Sequence, residues 1–375
     1  MKLATVSVHR YRLPLRSPWL TAGAGVGERC GWLLCLQDDS GRRGYGDCTP
    51  LPGCVGESAT AALQALRSLL PPLIGLTAKA ALGRLEPGSD CPTPAARCAV
   101  ETALLDLLAQ GAGVPLAAYL NGARRTTTGS GPPPRIRLNA ACGSLRGVCD
   151  KDLRAACRAG FEVLKLKVGV LAADEEISLL QQVAALLPPH CRLRLDANRA
   201  WPEAVATRFL QACADLPIEM LEEPLATPDI DRLQALQDST TIAIAVDESV
   251  GCLDRQALVE RRAVRRLVLK PPRHGGLLPA LALARHASSA GVECIITSSL
   301  DSACGVTAAA HLAAAVDNGL AHGLATSTWL REDTGSPPVV GGGQLLLDAS
   351  PGLGFIPDGQ RRFMPLDGLY CRKSQ

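Results

Sequence analysis

The sequence predicts an α/β barrel joined to a smaller α+β domain, on the strength of three observations. Between Glu162 and Pro271, five short apolar runs each end on a charged residue that a buried strand does not tolerate. They are Val163-Leu-Lys165-Leu-Lys167, Arg192-Leu-Arg194-Leu-Asp196, Ile218-Glu-Met-Leu-Glu222, Ile242-Ala-Ile-Ala-Val-Asp247 and Leu267-Val-Leu-Lys270. The ends at 196, 222, 247 and 270 are 26, 25 and 23 residues apart, and each gap holds one helix-like segment. In a barrel built from such strand-helix units, the residues that terminate successive strands gather at one rim, where these enzymes keep their active sites. Finally, 375 residues exceed one ordinary domain but suit a barrel of roughly 250 residues with a companion.

Taken in order, residues 3 to 12 alternate as a strand, Gly31 to Leu36 form a second and Gly44 to Asp47 begin a third, with a turn at Asp38-Asp-Ser-Gly41. The intervening Ser17 to Glu28 segment, with glycines at 23, 25 and 27, reads either as a mobile flap or as a loose hairpin loop. Helices are expected near Ser58 to Leu70 and at Pro94 to Ala109, the latter capped by Thr93. Gly122 to Pro134 combines glycine, serine, threonine and three prolines with almost nothing to bury, and is expected to link a domain of residues 1–125 to a barrel of residues 135–330. In the barrel, Ile136 to Ala140 is the expected first strand, Asp150 to Arg158 the first helix, and Ile295 to Ser299 ends the seventh strand. The region around His322 to Leu324 is a short eighth. The tail, 331–375, is expected to return over the first domain.

Composition excludes several functions. A hydrophobic share of 47%, a charged share of 20% and a net charge of +3 describe a globular chain without the single-sign field that attracts nucleic acid or a membrane surface. Aromatics at 3% leave the core to Leu, Val, Ile and Ala and provide no base-stacking platform. The 15 cysteines are scattered, odd in number and without a Cys-x-x-Cys pair, which disfavours a zinc site or disulfide framework and suits buried thiols in a reducing cytosol. Met1 to Arg10 lacks the apolar run of about 7 to 15 residues that a signal peptide needs. No window reaches the roughly 18 apolar residues of a membrane span. A cytoplasmic location and a small-molecule partner are expected, and the oligomeric state is open.

Asp196, Glu222 and Asp247 could each cap the helix that follows its strand. Three acids at consecutive, evenly spaced strand ends fit better with one face of an octahedral Mg²⁺ site, with Mn²⁺ as a substitute. Lys165 and Lys167 stand two apart, so both side chains face the same way, into the barrel if this strand belongs to it and into solvent if it is an edge. Lys270 ends a strand four further along. Lysines near a metal and near each other have depressed pKa values, so one can act as a base. Arg194 and Asn198 flank Asp196 at the same period and either contact substrate or anchor that acid. Ser298 and Ser299 open the turn Ser298-Ser-Leu-Asp-Ser302 before a helix from Ala303 to Ala315, where backbone N–H groups can hold an anionic group or be closed by a plain cap at Ser302 or Asp301.

Lys-x-Lys followed by Asp, Glu, Asp and Lys on successive strands resembles the enolase superfamily, specifically its muconate-lactonizing subgroup, over nearly the whole chain. Val100-Glu-Thr-Ala-Leu-Leu-Asp106 and Pro115-Leu-Ala-Ala-Tyr-Leu-Asn-Gly122 are similar to the usual entry into its barrel. The resemblance implies a (β/α)7β TIM-like barrel with an N-terminal α+β capping domain. Within the subgroup, Thr49-Pro-Leu-Pro-Gly53 with Glu57, Leu193-Arg-Leu-Asp-Ala-Asn198, Leu269-Lys-Pro271 and the Ser298 to Ser302 turn look most like the o-succinylbenzoate synthase family of dehydratases. It implies a carboxylate substrate, Lys167 as base, Lys270 on the opposite face, Mg²⁺ on Asp196, Glu222 and Asp247, and substrate contacts from Lys165, Arg194, Asn198, Ser298 and Ser299. An N-acylamino acid racemase or dipeptide epimerase would use the same lysines, and a silent binding protein on the scaffold is a third alternative.

Overall fold

The computed structural model describes residues 2–20, 25–51, 57–85, 91–122, 134–359 and 371–372. The tip of the expected flap (21–24), Pro52 and Gly53 of the proline-rich motif, most of the linker (123–133) and tail residues 360–370 lie outside the described residues.

The N-terminal domain contains β1 (Leu3–Leu20), β2 (Gly25–Asp38), β3 (Arg43–Cys48) and the helices α1 (Ala59–Leu69), α2 (Ala78–Leu82), α3 (Pro94–Ala112) and α4 (Leu116–Leu120). β1, β2 and β3 pair antiparallel in that order, and the chain's last described strand, Cys371–Arg372, adds to β1. The first strand runs past the expected end at residue 12: Pro14 still pairs with Glu28 and, beyond an irregularity, Trp19 with Val26. The described part of the expected flap is therefore paired ribbon. The alternation begun by Tyr11 continues through Leu13 and Leu15, all three buried in the core shared with the barrel, while Val6 and Val8 belong to the core of the smaller domain. One strand thus anchors both cores.

α3 is buried from Ala95 through Leu107 and apolar almost all round, as expected of a helix enclosed on every side. β3 lies directly on it. A Cβ at Gly44 would come within 2.1 Å of the Ala103 carbonyl oxygen, and one at Gly46 within 1.9 Å of that of Ala99. Thr93 precedes α3 but does not cap it through its side chain. The Glu57 carboxylate accepts from Ala95 N at 2.7 Å and Ala96 N at 3.3 Å instead, and burial pushes this acid up to about 7. A cap delivered from 38 positions away has no local sequence signal.

The barrel runs β4 (Arg135–Arg137), β5 (Asn139–Ser144), α5 (Asp150–Arg158), β6 (Val163–Lys167), α6 (Ala173–Leu186), β7 (Arg192–Asp196), α7 (Glu203–Ala212), β8 (Ile218–Glu222), α8 (Ile230–Asp238), β9 (Ala243–Val246), α9 (Arg255–Glu260), β10 (Arg266–Leu269), α10 (Leu277–Ser289), β11 (Glu293–Ile296) and α11 (Ala303–Val316). β5 to β11 form one parallel sheet in sequence order. It closes through bridges from Leu138 to His322 and from Thr297 to Gly323, so the expected eighth strand is reduced to these two residues. The expected first strand divides at Leu138: β5 enters the barrel, whereas β4 joins a separate antiparallel sheet with β12 (Val339–Gly341) and β13 (Gln344–Leu346). The tail touches the smaller domain at once, where Arg331 N donates to Pro14 O beside the Leu15–Leu330 bridge, then pairs with β4 through β13, and meets the smaller domain again at Gly352 beside Pro115 and at 371–372 beside β1. Among the described residues no helix is long and apolar enough to cross a membrane.

The contact between β3 and α3 leaves no volume for a side chain. Gly46→Ala is expected to cost about 1–3 kcal/mol through overpacking, read as a lower midpoint of thermal unfolding.

Candidate active site

Period-two alternation builds the rim. Met220, Ala245, Val268 and Ile295, one each from β8 to β11, form a small apolar layer inside the barrel. Two residues further along come Glu222, Asp247, Lys270 and Thr297, on the same face and one rung higher. On β6 and β7 the same step leads from Lys165 to Lys167 and from Arg194 to Asp196. The registers align these ends: Lys167 opposes Asp196, and Asp196 opposes Glu222.

Asp196, Glu222 and Asp247 are only 5%, 2% and 6% exposed, so water does little to screen three like charges on neighbouring strands. The charge is met by cationic side chains. Lys165 Nζ lies 2.9 Å from Asp196 Oδ2 and 2.7 Å from Glu222 Oε2. Lys270 Nζ donates to Asp247 Oδ2, and Arg273 Nη1 donates to Asp247 Oδ1 at 3.0 Å. Among the described residues no acids, histidines or cysteines converge as a ready-made metal cluster; the ammonium groups lie against the carboxylates.

Titration follows from this crowding. Burial, reinforced by Asp196 and Asp247, pushes Glu222 up to about 8 against the pull of Lys165. Burial would raise Asp247 too, but Lys270 and Arg273 outweigh it and hold that carboxyl below its usual range. Burial lowers Lys165, yet Asp196 and Glu222 overcome it and keep its ammonium charged. For Lys167 burial wins: together with repulsion from Lys165 and Lys270 it holds the amine below the ordinary lysine value, against the attraction of Asp196. Of two lysines two residues apart, one is fixed as a cation and the other is shifted toward the uncharged form.

The remaining expected residues lie around this centre. Asn198, with φ +44°, donates its backbone N–H to Asp196 Oδ1 at 3.1 Å and thereby orients that acid. Arg194 points toward the strand beginnings, donating to Glu219 at 2.5 Å, Ala321 O at 2.6 Å and Asn139 Oδ1 at 3.3 Å. Ser298 Oγ is 2.6 Å from Thr326 Oγ1. Ser299 Oγ is buried and without a hydrogen-bond partner among the described residues. Neither Ser302 nor Asp301 provides the expected cap of α11; Asp47 accepts from Ser302 N and Asp333 from Ala303 N.

Two supporting residues escaped the sequence reading. Glu223, at φ +48°, turns its carboxylate to accept from Asp247 N and Ser249 N, both at 2.8 Å, and from Ser249 Oγ at 2.6 Å. Alternation alone would point it away from the strand end next door. Arg273 carried a visible signal, a cation three places after Lys270, but its target on the preceding strand is a tertiary fact.

A family model described as "Enolase C-terminal domain-like" matches residues 149–361, more than half of the chain. The chain belongs to the enolase superfamily. Residues 3–81 match a second model, "MenC, N-terminal domain". This superfamily member is 29% identical over 369 residues to the L-Ala-D/L-Glu epimerase of Bacillus subtilis, covering 95% of the chain and 97% of that protein. A substrate-liganded structure of the B. subtilis epimerase superposes with a TM-score of 0.84 at 27% identity, covering 95% and 99% of the two chains. The dipeptide epimerase of Enterococcus faecalis, solved with Mg and L-Leu-L-Tyr, gives 0.82 at 26% identity, covering 95% and 99%. The o-succinylbenzoate synthase of Thermosynechococcus vestitus is 32% identical over 248 residues, 64% of this chain and 67% of that one.

Glu223 supports the rim through three donors at once. Glu223→Ala is expected to lose about 2–4 kcal/mol of stability, because buried partners of a charged acceptor are left unpaired; denaturant titration measures it.

Proposed function

We propose that this superfamily enzyme is an o-succinylbenzoate synthase, a metal-dependent lyase that dehydrates 2-succinyl-6-hydroxy-2,4-cyclohexadiene-1-carboxylate to 2-succinylbenzoate on the way to menaquinone or phylloquinone. The observation that carries the proposal is the pairing of an amine shifted toward neutrality, Lys167, with a second lysine, Lys270, at the end of β10, with β7, β8 and β9 between them.

The donor set suits a divalent ion. Three buried carboxylates, with Glu222 pushed up to about 8 by burial and by its two acid neighbours, call for more positive charge than an ammonium supplies, and hard oxygen donors match Mg²⁺ or Mn²⁺. Asp196, Glu222 and Asp247 would hold it. When bound, it supplies a Lewis acid for the substrate carboxylate and the charge that builds as the α-proton leaves.

The protein's own groups do the rest. Lys167 in its uncharged form takes the proton α to the ring carboxylate and, now an ammonium on the same face, returns a proton to the departing hydroxyl; water leaves and the ring becomes aromatic. Lys270, on the other face, stabilises the planar anionic intermediate. Lys165 keeps Asp196 and Glu222 aligned. In this reading the Ser298 and Ser299 hydroxyls would receive the succinyl arm.

The match of residues 3–81 to the MenC N-terminal domain and the identity to the Thermosynechococcus synthase support this reading. A second reading is a dipeptide or N-acylamino acid epimerase, favoured by the length over which the B. subtilis enzyme matches; there Lys167 and Lys270 would exchange a proton on opposite faces.

With the cyclohexadiene acid and Mg²⁺, product absorbance should rise, and both Lys167→Ala and chelation should slow it by about 10²–10⁴-fold. Full activity in either control ends the proposal. Deuterium exchange into both enantiomers of a dipeptide or N-succinyl amino acid, with no dehydration, would select the epimerase. Because Lys167 acts only when uncharged, kcat/KM should rise with pH through a pKa below the usual lysine range, level off above it, and fall as acid protonates the amine. A profile flat across that interval contradicts the assigned base.

A further inference from the structure

The turn Ser298–Ser302 is held in an unfavourable shape by the other domain. Leu300 has φ +59°, a left-handed conformation that a branched side chain seldom adopts and that persists only where neighbouring structure enforces it. At the edges of the turn Ser298 N donates to Gly323 O at 3.2 Å and Ala303 N to Asp333 Oδ1 of the tail at 2.6 Å, and within it Ser299 N donates to Asp301 Oδ2 at 3.2 Å. Further ties on either side of Leu300 come from the N-terminal domain. Arg29 Nε donates to Leu300 O at 3.3 Å, while the same guanidinium, 1% exposed, donates to Thr49 O at 3.2 Å and Pro50 O at 3.4 Å. Asp47 Oδ2 accepts from Ser302 N at 3.1 Å and Ser302 Oγ at 2.8 Å, and Asp47 Oδ1 accepts from Tyr11 OH at 2.5 Å. Gly305 leaves the room, since a Cβ there would come within 2.7 Å of Asp47 Oδ2.

Inside this bracket Ser299 is 8% exposed, and its hydroxyl meets no partner among the described residues. A buried hydroxyl that no protein group meets is available to a water, an ion or a ligand. We infer that Asp47 and Arg29 are positioning residues that hold the Ser298–Ser302 turn so that Ser299 can donate to an oxygen of the substrate's arm. The inference rests on reading the two serines as substrate contacts. It adds that their geometry is set by Asp47 and Arg29 of the N-terminal domain.

The test uses the full chain with Mg²⁺ and the variants Asp47→Asn, Arg29→Met and Arg29→Lys. Two quantities are read: KM against kcat for the cyclohexadiene acid, and amide hydrogen exchange of the peptide covering 295–305. Asp47→Asn and Arg29→Met should raise KM about tenfold or more while kcat stays within about threefold, as expected when one charge-assisted tie behind a binding group is lost. Exchange should quicken at 298–302 and stay unchanged at the strand ends carrying Asp196, Glu222 and Asp247. Arg29→Lys should recover part of the KM. An unchanged KM, or a kcat loss that only follows the loss of folded protein, overturns the inference. If wild type dehydrates nothing but racemises an N-succinyl amino acid or dipeptide, the lyase reading fails and the same KM comparison is made on that substrate. Unaltered exchange at 298–302 sinks the positioning role whatever the reaction. Should Asp47→Asn not fold, Ser302→Ala, which removes only the hydroxyl end of the contact, is held to the same criteria.

Discussion

Three carboxylates on adjacent parallel strands repel one another inside a barrel that excludes most water, and much of this molecule can be understood as the means of keeping them there. Neighbouring strands lie about 4.8 Å apart, so any three polar residues that end consecutive strands on the inward face are forced into proximity. Lys165 between Asp196 and Glu222, and Lys270 with Arg273 on Asp247, offset that repulsion. The Asn198 backbone then orients the Asp196 carboxylate, and Glu223 holds the backbone N–H of Asp247. Underneath, the layer of Met220, Ala245, Val268 and Ile295 closes the barrel interior and gives the charged rung a dry floor. The cost of assembling like charges is the property a divalent ion can exploit.

The same electrostatics separate the lysines into two kinds. Lys165 is fixed by two acids, whereas Lys167, one rung higher, feels two other ammonium groups and its own desolvation more strongly than it feels Asp196. A two-residue spacing that looks redundant in the sequence therefore yields one structural cation and one candidate base.

The smaller domain is tied to the barrel along its length. β1 contributes to both cores, α3 is enclosed between them, and the buried Arg97–Glu101 pair reaches across to Gly275 O and Leu278 N beyond β10. Lyase and epimerase chemistry share the first step, removal of a proton beside a carboxylate, and in the proposed reading the rim would supply that common part. What differs is how the rest of the substrate is held, and under the inference above the groups that would face it are set by both domains.

The sequence by itself determined the strand-helix alternation, the rim acids and the lysines. Each strand is read locally: an apolar run that ends in a charge is anomalous wherever it occurs, and its period of two assigns faces without knowledge of neighbours. It also located α1, α3 and α11 to within a few residues. Only the tertiary structure decided what joins residues far apart in the chain. The extension of β1 to Leu20 comes from pairing across its own hairpin with Gly25 to Glu28, whereas Glu57 capping α3, Asp47 holding Ser302 ahead of α11 and the division of 135–144 between two sheets all depend on partners tens or hundreds of positions away. So does the turning of Arg194 toward Glu219, because a long side chain on an inward position can reach either up or down the barrel, and the choice belongs to whichever opposite charge the fold brings near.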